Sequence, residues 1–457
     1  MTHRHPHGNI FYRRMAQDHP LIVRGEGVYL YDQDGTRYLD GSGGAIVANI
    51  GHGVQRVAQA IERQTSQVAY IHASMFISEA LERYCEELAK ICPLPDPKFY
   101  LLTSGSEAIE AAIKLARQVQ VERGHSERYL TISRWGSYHG VTLGALAVTG
   151  KAKMRKLYQP MFVDMPHIPP PYCYRCPFGL APLECSVQCA IALEEEIIKQ
   201  GPENVAAFLA EPVGGATLGG IVPPPEYWPI VRDICDRYEV LLIADEVMTG
   251  MGRTGAWFAI QHWDVQPDII TIGKGAAGGY FPLGILAARG ELVDLIAGGK
   301  GEFNHGGTYS HHAVGATAGL ATLEYLWENN LVEEVARKGR VLERLLEDKL
   351  TNFEWVGDIR GMGLMWGIEL VQDKESKSPF DPRLHLSQKI ADEAFQNGLI
   401  IYPGSGSVDG ERGDHFMLGP PFTISDSQME EMVDILAISL QFVGHASARP
   451  LIPTQSR

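Results

Sequence analysis

From about Val54 to Glu328 short apolar runs alternate with helical stretches, and this alternation restricts the possible folds more than any other feature of the 457-residue chain. The runs Phe99–Thr103, Tyr129–Ser133, Ala206–Ala210, Val240–Ala244, Ile269–Ile272 and Leu283–Ala287 read as strands, with helices such as Ser106–Arg123 and Tyr227–Arg237 between them. Runs with so few polar positions need cover on both faces, which strand–helix crossovers supply. The expected class is α/β, with a large domain over 54–328 built on a mostly parallel sheet flanked by helices. Before it, Val28–Tyr31 and Arg37–Leu39 flank Asp32-Gln33-Asp34-Gly35, a hairpin signal. After Asn330 strand and helix alternate less tightly, Ser425 to Gln428 resembles a capping box opening a last helix, and 446–457 reads as a tail. The Pro-rich stretch Pro166–Pro182 reads as an irregular excursion from the large domain.

Composition then excludes several classes of function. Lys and Arg number 40 against 55 Asp and Glu, a net charge of −15 with no basic block, so nucleic acid is not an expected partner. Seven cysteines fall far short of a disulfide scaffold and favour a reducing compartment. No uncharged apolar run approaches the ~20 residues of a membrane helix, and Met1–Asn9 has no apolar stretch of the secretory kind. A soluble, cytoplasmic enzyme is the expectation, with no membrane partner.

Three motifs compete for the chemistry. Gly250-Met251-Gly252-Arg253-Thr254-Gly255 matches the dinucleotide fingerprint and follows a strand, but Asp268 precedes its strand rather than ending it. A nicotinamide-dependent oxidoreductase is the out-of-class alternative. Leu241 to Glu246 could serve as the magnesium strand of a nucleotide hydrolase, yet no Gly-Lys pair is followed by Ser or Thr. The third combines Asp245 and Lys274, each just past the apolar run of a strand and so brought to one edge of a parallel sheet. Such a pair is either an ordinary salt bridge or a pyridoxal phosphate site, where a lysine takes the aldehyde and an acid keeps the pyridine nitrogen protonated. Ser104-Gly105-Ser106-Glu107 opens a helix after a strand, and a helix start favours a bound phosphate. Tyr138, in a loop between Gly136 and Gly140, could stack on a planar ring or simply pack in the loop. Gly306-Gly307-Thr308 offers amides and a hydroxyl for phosphate, and His311-His312 has no third ligand at metal spacing.

At these residues the chain resembles the class III, or ω-, aminotransferases of the fold-type I pyridoxal phosphate enzymes. The motifs Ser104–Ala108, Ala210–Val213, Ala244–Val247, Gly250–Gly255 and Thr271–Gly275 stand in the family's order, and the resemblance runs from Gly25 to Phe422. It implies Lys274 as the lysine joined to the cofactor aldehyde, Asp245 on the pyridinium, Val247 and Tyr138 on the two ring faces, and Gly105 and Ser106 on the phosphate. Thr308 of a neighbouring subunit would join the phosphate, and Glu211 would be the acid near the cofactor that pairs with a substrate-site arginine. Residues 1–53 and 329–457 would together form a small α+β domain. The implied assembly is a homodimer with shared active sites, or a tetramer built from it. The implied reaction is ping-pong transfer of an amino group from an ω-amino acid or amine to pyruvate or 2-oxoglutarate. Within the family the alternatives are an aminomutase, an epimerase and a decarboxylase.

Two features depart from the family pattern. Gly398-Leu399-Ile400-Ile401 is followed by Tyr402 where many relatives carry a carboxylate-binding arginine. Arg412, further on, either takes over the carboxylate or is a solvated loop arginine. Cys173, Cys176, Cys185 and Cys189 either close a structural metal site or pack as free thiols; no metal is the expectation, and loops near Ala45, Ile46, Tyr70 and Tyr402 would shape the substrate pocket.

Overall fold

One sheet of seven strands organises the middle of the chain, in the spatial order Lys98–Leu102, Gly284–Ala288, Ile269–Ile272, Leu241–Glu246, Val205–Ala210, Leu130–Arg134, His167–Ile168. The computed structural model describes residues 9–15, 19–181 and 184–447. From Ile269–Ile272 to His167–Ile168 neighbouring strands pair in parallel, whereas Gly284–Ala288 runs antiparallel to both neighbours. Six of the strands are the six apolar runs: Ile269–Ile272 has the expected ends, and the other five have ends moved by a residue or two. The seventh, His167–Ile168, lies inside the Pro-rich stretch and is too short to carry a periodic signal.

Every residue of Val205–Ala210, Leu241–Glu246 and Ile269–Ile272 is buried, which is why these runs lack alternation. Ala207, Leu209, Leu241, Ile243 and Ile269 pack on one side against Ala108, Ala112 and Leu115 of the helix Gly105–Glu122. Phe208, Leu242 and Ile270 belong to the core on the other side, with Trp228 and Val231 of the helix Tyr227–Tyr238. Each large aliphatic side chain so enclosed contributes about 1.5–3 kcal/mol.

Two four-stranded sheets hold the rest. The strands Ile22–Glu26, Tyr29–Asp32 and Arg37–Asp40 form an antiparallel meander, and the distant Leu399–Ile400 adds to it in parallel, Leu399 opposite Leu39. The hairpin turn is held by the Asp32 carboxylate, which accepts from the backbone of Asp34 and Thr36 at 3.0 and 2.8 Å. The other sheet has the order Val356–Met362, Met365–Leu370, Asp414–Leu418, Tyr402–Ser405. The Pro-rich excursion is tied to it, since Tyr172 and Arg175 both bond Glu369. The helix Asp426–Ser447 opens with the expected box: Gln428 Oε1 accepts from Ser425 N–H, and Ser425 Oγ accepts from Gln428 N–H. The tail expected from Ala446 is helical to Ser447 and otherwise lies outside the described residues, as do residues 1–8. Among the described residues no helix is long and apolar enough to cross a membrane.

The dinucleotide reading of Gly250–Gly255 is corrected here. The segment opens no long helix; it forms turns that lead into the short 3-10 helix Ala259–Trp263. A Cβ on Gly252 would stand 2.9 Å from a Val332 methyl, and one on Gly255 would stand 2.9 Å from the Ala336 Cα, so the chain itself fills the space a pyrophosphate needs. Buried Arg253 donates to the carbonyls of Leu364 and Pro420 at 3.0 and 2.7 Å and lies over the Phe422 ring. The glycines serve close packing, and the arginine fastens the segment to the C-terminal part of the chain.

Gly255→Ala combines a left-handed φ of 88° with that backbone contact, so it should lose about 2–4 kcal/mol of stability. Gly35→Ala, at φ 84° with nothing within 4 Å, should lose only about 1–2 kcal/mol. Urea unfolding of both variants checks the difference, and equal losses would show that the contact carries no weight.

Candidate active site

Asp245 and Lys274 meet because their strands pair in parallel, with Asp245 opposite Thr271 and Glu246 opposite Ile272. Asp245 occupies the last turn of the pleat, and Lys274 follows its strand by two residues. Three donors orient the Asp245 carboxylate. Val247 N–H and Thr271 Oγ1 reach Oδ1 at 3.0 and 3.2 Å, and His139 Nδ1 lies 2.6 Å from Oδ2. The His139 side chain is fully buried, and its Nε2 has no partner among the described residues. For Nδ1 to donate, the proton sits on that nitrogen, so the imidazole is oriented as well as the acid. The ordinary salt bridge between Asp245 and Lys274 is replaced by this acid–imidazole pair. Sequence reasoning placed His139 in a loop and missed it as a partner, because only the fold brings its loop across the strand ends.

Lys274 keeps some contact with solvent yet sits deep among protein atoms. Burial pushes its ammonium down to about 8, with Arg253 acting in the same direction, whereas Asp245 and Glu211 favour the charged form. Its backbone lies in the left-handed region at φ 42°, a conformation that side-chain-bearing residues adopt when surroundings enforce it. Asn49 supplies part of that enforcement, its Nδ2 donating to the Gly275 carbonyl at 3.1 Å.

Beside them the helix Gly105–Glu122 begins. Ser104 Oγ accepts from Glu107 N–H at 3.3 Å, as the capping pattern requires. The Glu107 carboxylate bends back to Thr103 N–H at 2.8 Å, one residue earlier than the usual box. The Gly105 and Ser106 amides stand at the positive end of this helix. A Cβ on Gly105 would approach a Val247 methyl to 2.8 Å, and one on Gly273 to 3.1 Å. Val247 therefore rests on two bare stretches of backbone, one at the helix start and one just before Lys274. Ser106 Oγ accepts from Val141 N–H at 3.1 Å, which fastens the Tyr138 loop to the same helix.

Tyr138 is about one-third exposed, at 37%. Its backbone N–H donates to Glu211 Oε1 at 3.3 Å, and burial pushes its phenol up while Arg13 pulls it down. Glu211 is buried, and burial raises its carboxyl pKa. Its arginine is Arg134, 3.5 Å away, which closes the strand Leu130–Arg134 and was not singled out from sequence. A charged residue ending an apolar strand was the available signal, the same one that exposed Asp245.

Other expected residues lie elsewhere. Thr308 is exposed on its turn, next to a Tyr309 that is also exposed. Tyr402 is half-buried at the start of the strand Tyr402–Ser405 and packs against the buried cluster that includes Met365 and Met417. Arg412 is more than half exposed, and its Nε donates to Asp409 at 2.6 Å, so its own loop already engages it. Cys173, Cys176, Cys185 and Cys189 line a cavity of about 430 Å³. Among the described residues no group of three or more His, Cys, Asp or Glu side chains is arranged to hold a metal ion.

Comparison with known proteins gives the family. The family described as Aminotransferase class-III matches residues 11–440. An uncharacterised aminotransferase of Bacillus subtilis, YodT, is 39% identical over 424 residues, 93% of this chain and 95% of its own. A thermostable (S)-enantioselective omega-transaminase from Thermomicrobium roseum superimposes with a TM-score of 0.88 at 36% identity, covering 96% of each chain. A PMP-bound aminotransferase from Vibrio fluvialis does so with a TM-score of 0.87 at 30% identity, covering 94% of each. The fold is that of the fold-type I transaminases, and the chain belongs to the class III aminotransferases.

Proposed function

We propose that this aminotransferase holds pyridoxal phosphate between Asp245 and Lys274, and moves an amino group from an ω-amino acid or amine to a keto acid, pyruvate or 2-oxoglutarate, in two ping-pong half-reactions. The observation that carries the reading is the convergence at one sheet edge of a carboxylate held by His139, a buried amine and an open helix start. These fit the cofactor's three polar ends: Gly105 and Ser106 would hold the phosphate, Asp245 the ring nitrogen and Lys274 the aldehyde. Val247 and Tyr138 would cover the ring faces, and the bare backbone under Val247 leaves it free to lie flat. When bound, pyridoxal phosphate supplies an aldehyde that captures amines and a pyridinium ring that accepts electrons.

The chain's own residues do the rest. Lys274, once displaced by a donor amine, holds and moves the proton at the substrate carbon, so it acts as covalent partner and then as base. An amine near pKa 8 has a substantial neutral fraction at neutral pH, which an ordinary lysine near 10.4 lacks. Asp245, fixed by three donors, keeps the ring proton in place, and Glu211 with Arg134 shapes the substrate side. Tyr402 borders that side; Arg412 would have to release Asp409 to reach a carboxylate there.

Two exposures support a homodimer with shared active sites. Thr308 has the hydroxyl suited to a phosphate but faces outward from its own chain, and Met75, Phe76 and Ile77 form an exposed apolar run at 72%, 60% and 75%. Residues 1–53 and 329–457 would form the small domain beside 54–328, since Leu399–Ile400 completes the N-terminal sheet.

Lys274→Ala should abolish amino transfer across a panel of donors and keto acids, a fall of at least about 10³-fold, together with the visible-edge absorbance that shifts with donor amines. Near-normal turnover would end the reading. For cofactor-free protein, amine-reagent labelling of Lys274 followed by peptide mapping should rise with pH through a midpoint near 8. Asp245→Asn should move that midpoint lower, because it removes an anion that favours the ammonium. A midpoint unchanged or raised in the variant would contradict the field assigned to Asp245.

A further inference from the structure

A cavity of about 1110 Å³ lies beside the proposed site, bordered by the N-terminal segment and the strand Tyr402–Ser405. Its wall includes Ala216, whose neighbour Gly215 donates its N–H to Glu211 Oε1 at 3.4 Å, so it reaches the residues around the cofactor. Tyr402 borders it too, and Tyr402 and Arg13 both act on the ionisation of Tyr138. The cavity thus adjoins the substrate side of the site.

Its charges are unusual for a chain with a net charge of −15. Arg13, Lys151 and Lys153 line it together. Lys151 is half-buried, and among the described residues no carboxylate pairs with it in the way that Asp164 pairs with nearby Arg155. Burial, Arg13 and Lys153 all act against its ammonium. Arg14 lines the cavity as well, and three carboxylates share its wall, but none is at salt-bridge distance from Lys151: Asp414 accepts twice from Ser387, Asp392 accepts from Gln388, and Glu411 faces solvent. An ammonium that is partly desolvated, set near two further cations and without an acid at salt-bridge distance among the described residues is disfavoured, and an anion placed beside it relieves both the repulsion and the desolvation.

We infer that Lys151, with Arg13 beside it, is the seat for a carboxylate of the substrate, placed so that the far end of a keto acid or amino acid lies in this cavity while its reacting carbon faces Lys274. The assignment rests on the amino-transfer reading for the second half of that statement only; the anion seat stands on the cavity itself. It gives Arg412 no part, since Arg412 is held by Asp409 and does not line the cavity. Lys151 is a positioning residue here, acting on the end of the substrate remote from the chemistry.

The probe is glutarate, a dicarboxylate that cannot react, titrated calorimetrically into the holoenzyme, with uncharged glutaramide as control. Wild type should bind glutarate and not glutaramide. Lys151→Met should weaken glutarate by about tenfold or more, and Lys151→Arg should keep it within about threefold, as expected for a charge-assisted hydrogen bond. Arg13→Ala, at an exposed position where folding is not at risk, should weaken it by about threefold. In turnover, Lys151→Met should raise the KM for keto acid more than it lowers kcat. Equal glutarate affinity in wild type and Lys151→Met, or no binding by wild type, overturns the inference. If wild type transfers amino groups yet Lys151 has no effect, this inference alone falls. If Lys151-dependent glutarate binding persists in a protein that transfers none, the anion seat stands and the amino-transfer reading falls.

Discussion

The residue-by-residue pairing of Leu241–Glu246 with Ile269–Ile272 is the constraint on which the site depends. It sets Asp245 and Lys274 at one edge through backbone hydrogen bonds and the burial of two strands with every residue enclosed, not through attraction between the two side chains. This separation of causes matters for the chemistry. A lysine and an aspartate that found each other by their own charge would neutralise each other. Held by the sheet instead, Asp245 takes its contacts from His139, Thr271 and Val247, and Lys274 is left with a lowered pKa and, among the described residues, no acid at salt-bridge distance. The unfavourable placement of an amine among protein atoms is offset by the hydrophobic core around it, where strand after strand is fully buried.

The backbone at Lys274 shows the same logic. A left-handed φ at a lysine persists only when neighbours over-determine it. Three distant segments converge there. Asn49 donates to the carbonyl of Gly275 and accepts from Phe422 N–H through its own backbone carbonyl at 2.7 Å. Arg253, from the glycine-rich strap, donates to Pro420 two residues before Phe422 and lowers the ammonium further by its charge. The N-terminal turn, the strap and the Gly419–Phe422 segment are therefore locked together behind the Lys274 amine. The glycine pattern that imitates a nucleotide loop exists because this lock needs backbone packed against Val332 and Ala336.

Much of this was legible in the chain because it depends on local or periodic signals. Apolar runs announce buried strands, Ser104 with Glu107 and Ser425 with Gln428 announce helix starts, and chemical residues just past apolar runs announce a sheet edge. What was not legible depends on how loops fold over that edge. His139 sits one residue after Tyr138 in a loop whose path is set by Gly140 against Ser106, a contact that spacing alone does not encode. Arg134 was visible as a charge closing a strand, but its tie to Glu211 joins neighbouring strands whose order is fixed only in the folded sheet. Arg412 stood out because guanidinium suits carboxylate, yet the Asp409 three residues before it satisfies that fork within the loop. His167–Ile168 is strand only because Leu130–Arg134 offers it a free edge.

The charge balance favours placing the proposed anion recognition inside the cavity rather than on the surface. A net charge of −15 repels a carboxylate substrate at long range, although at physiological ionic strength that repulsion is screened beyond ~8 Å. Steering by the whole-molecule field is therefore not available to this protein, and selectivity for an anion has to come from cations met at short range. An exposed lysine already paired with a neighbouring acid serves poorly, since the substrate must displace a partner. Lys151 differs in both respects: it is half-buried, where the local dielectric strengthens its field, and no described acid pairs with it. For the carboxylate substrate proposed above, Lys151 on the wall that includes Tyr402 would be that short-range cation.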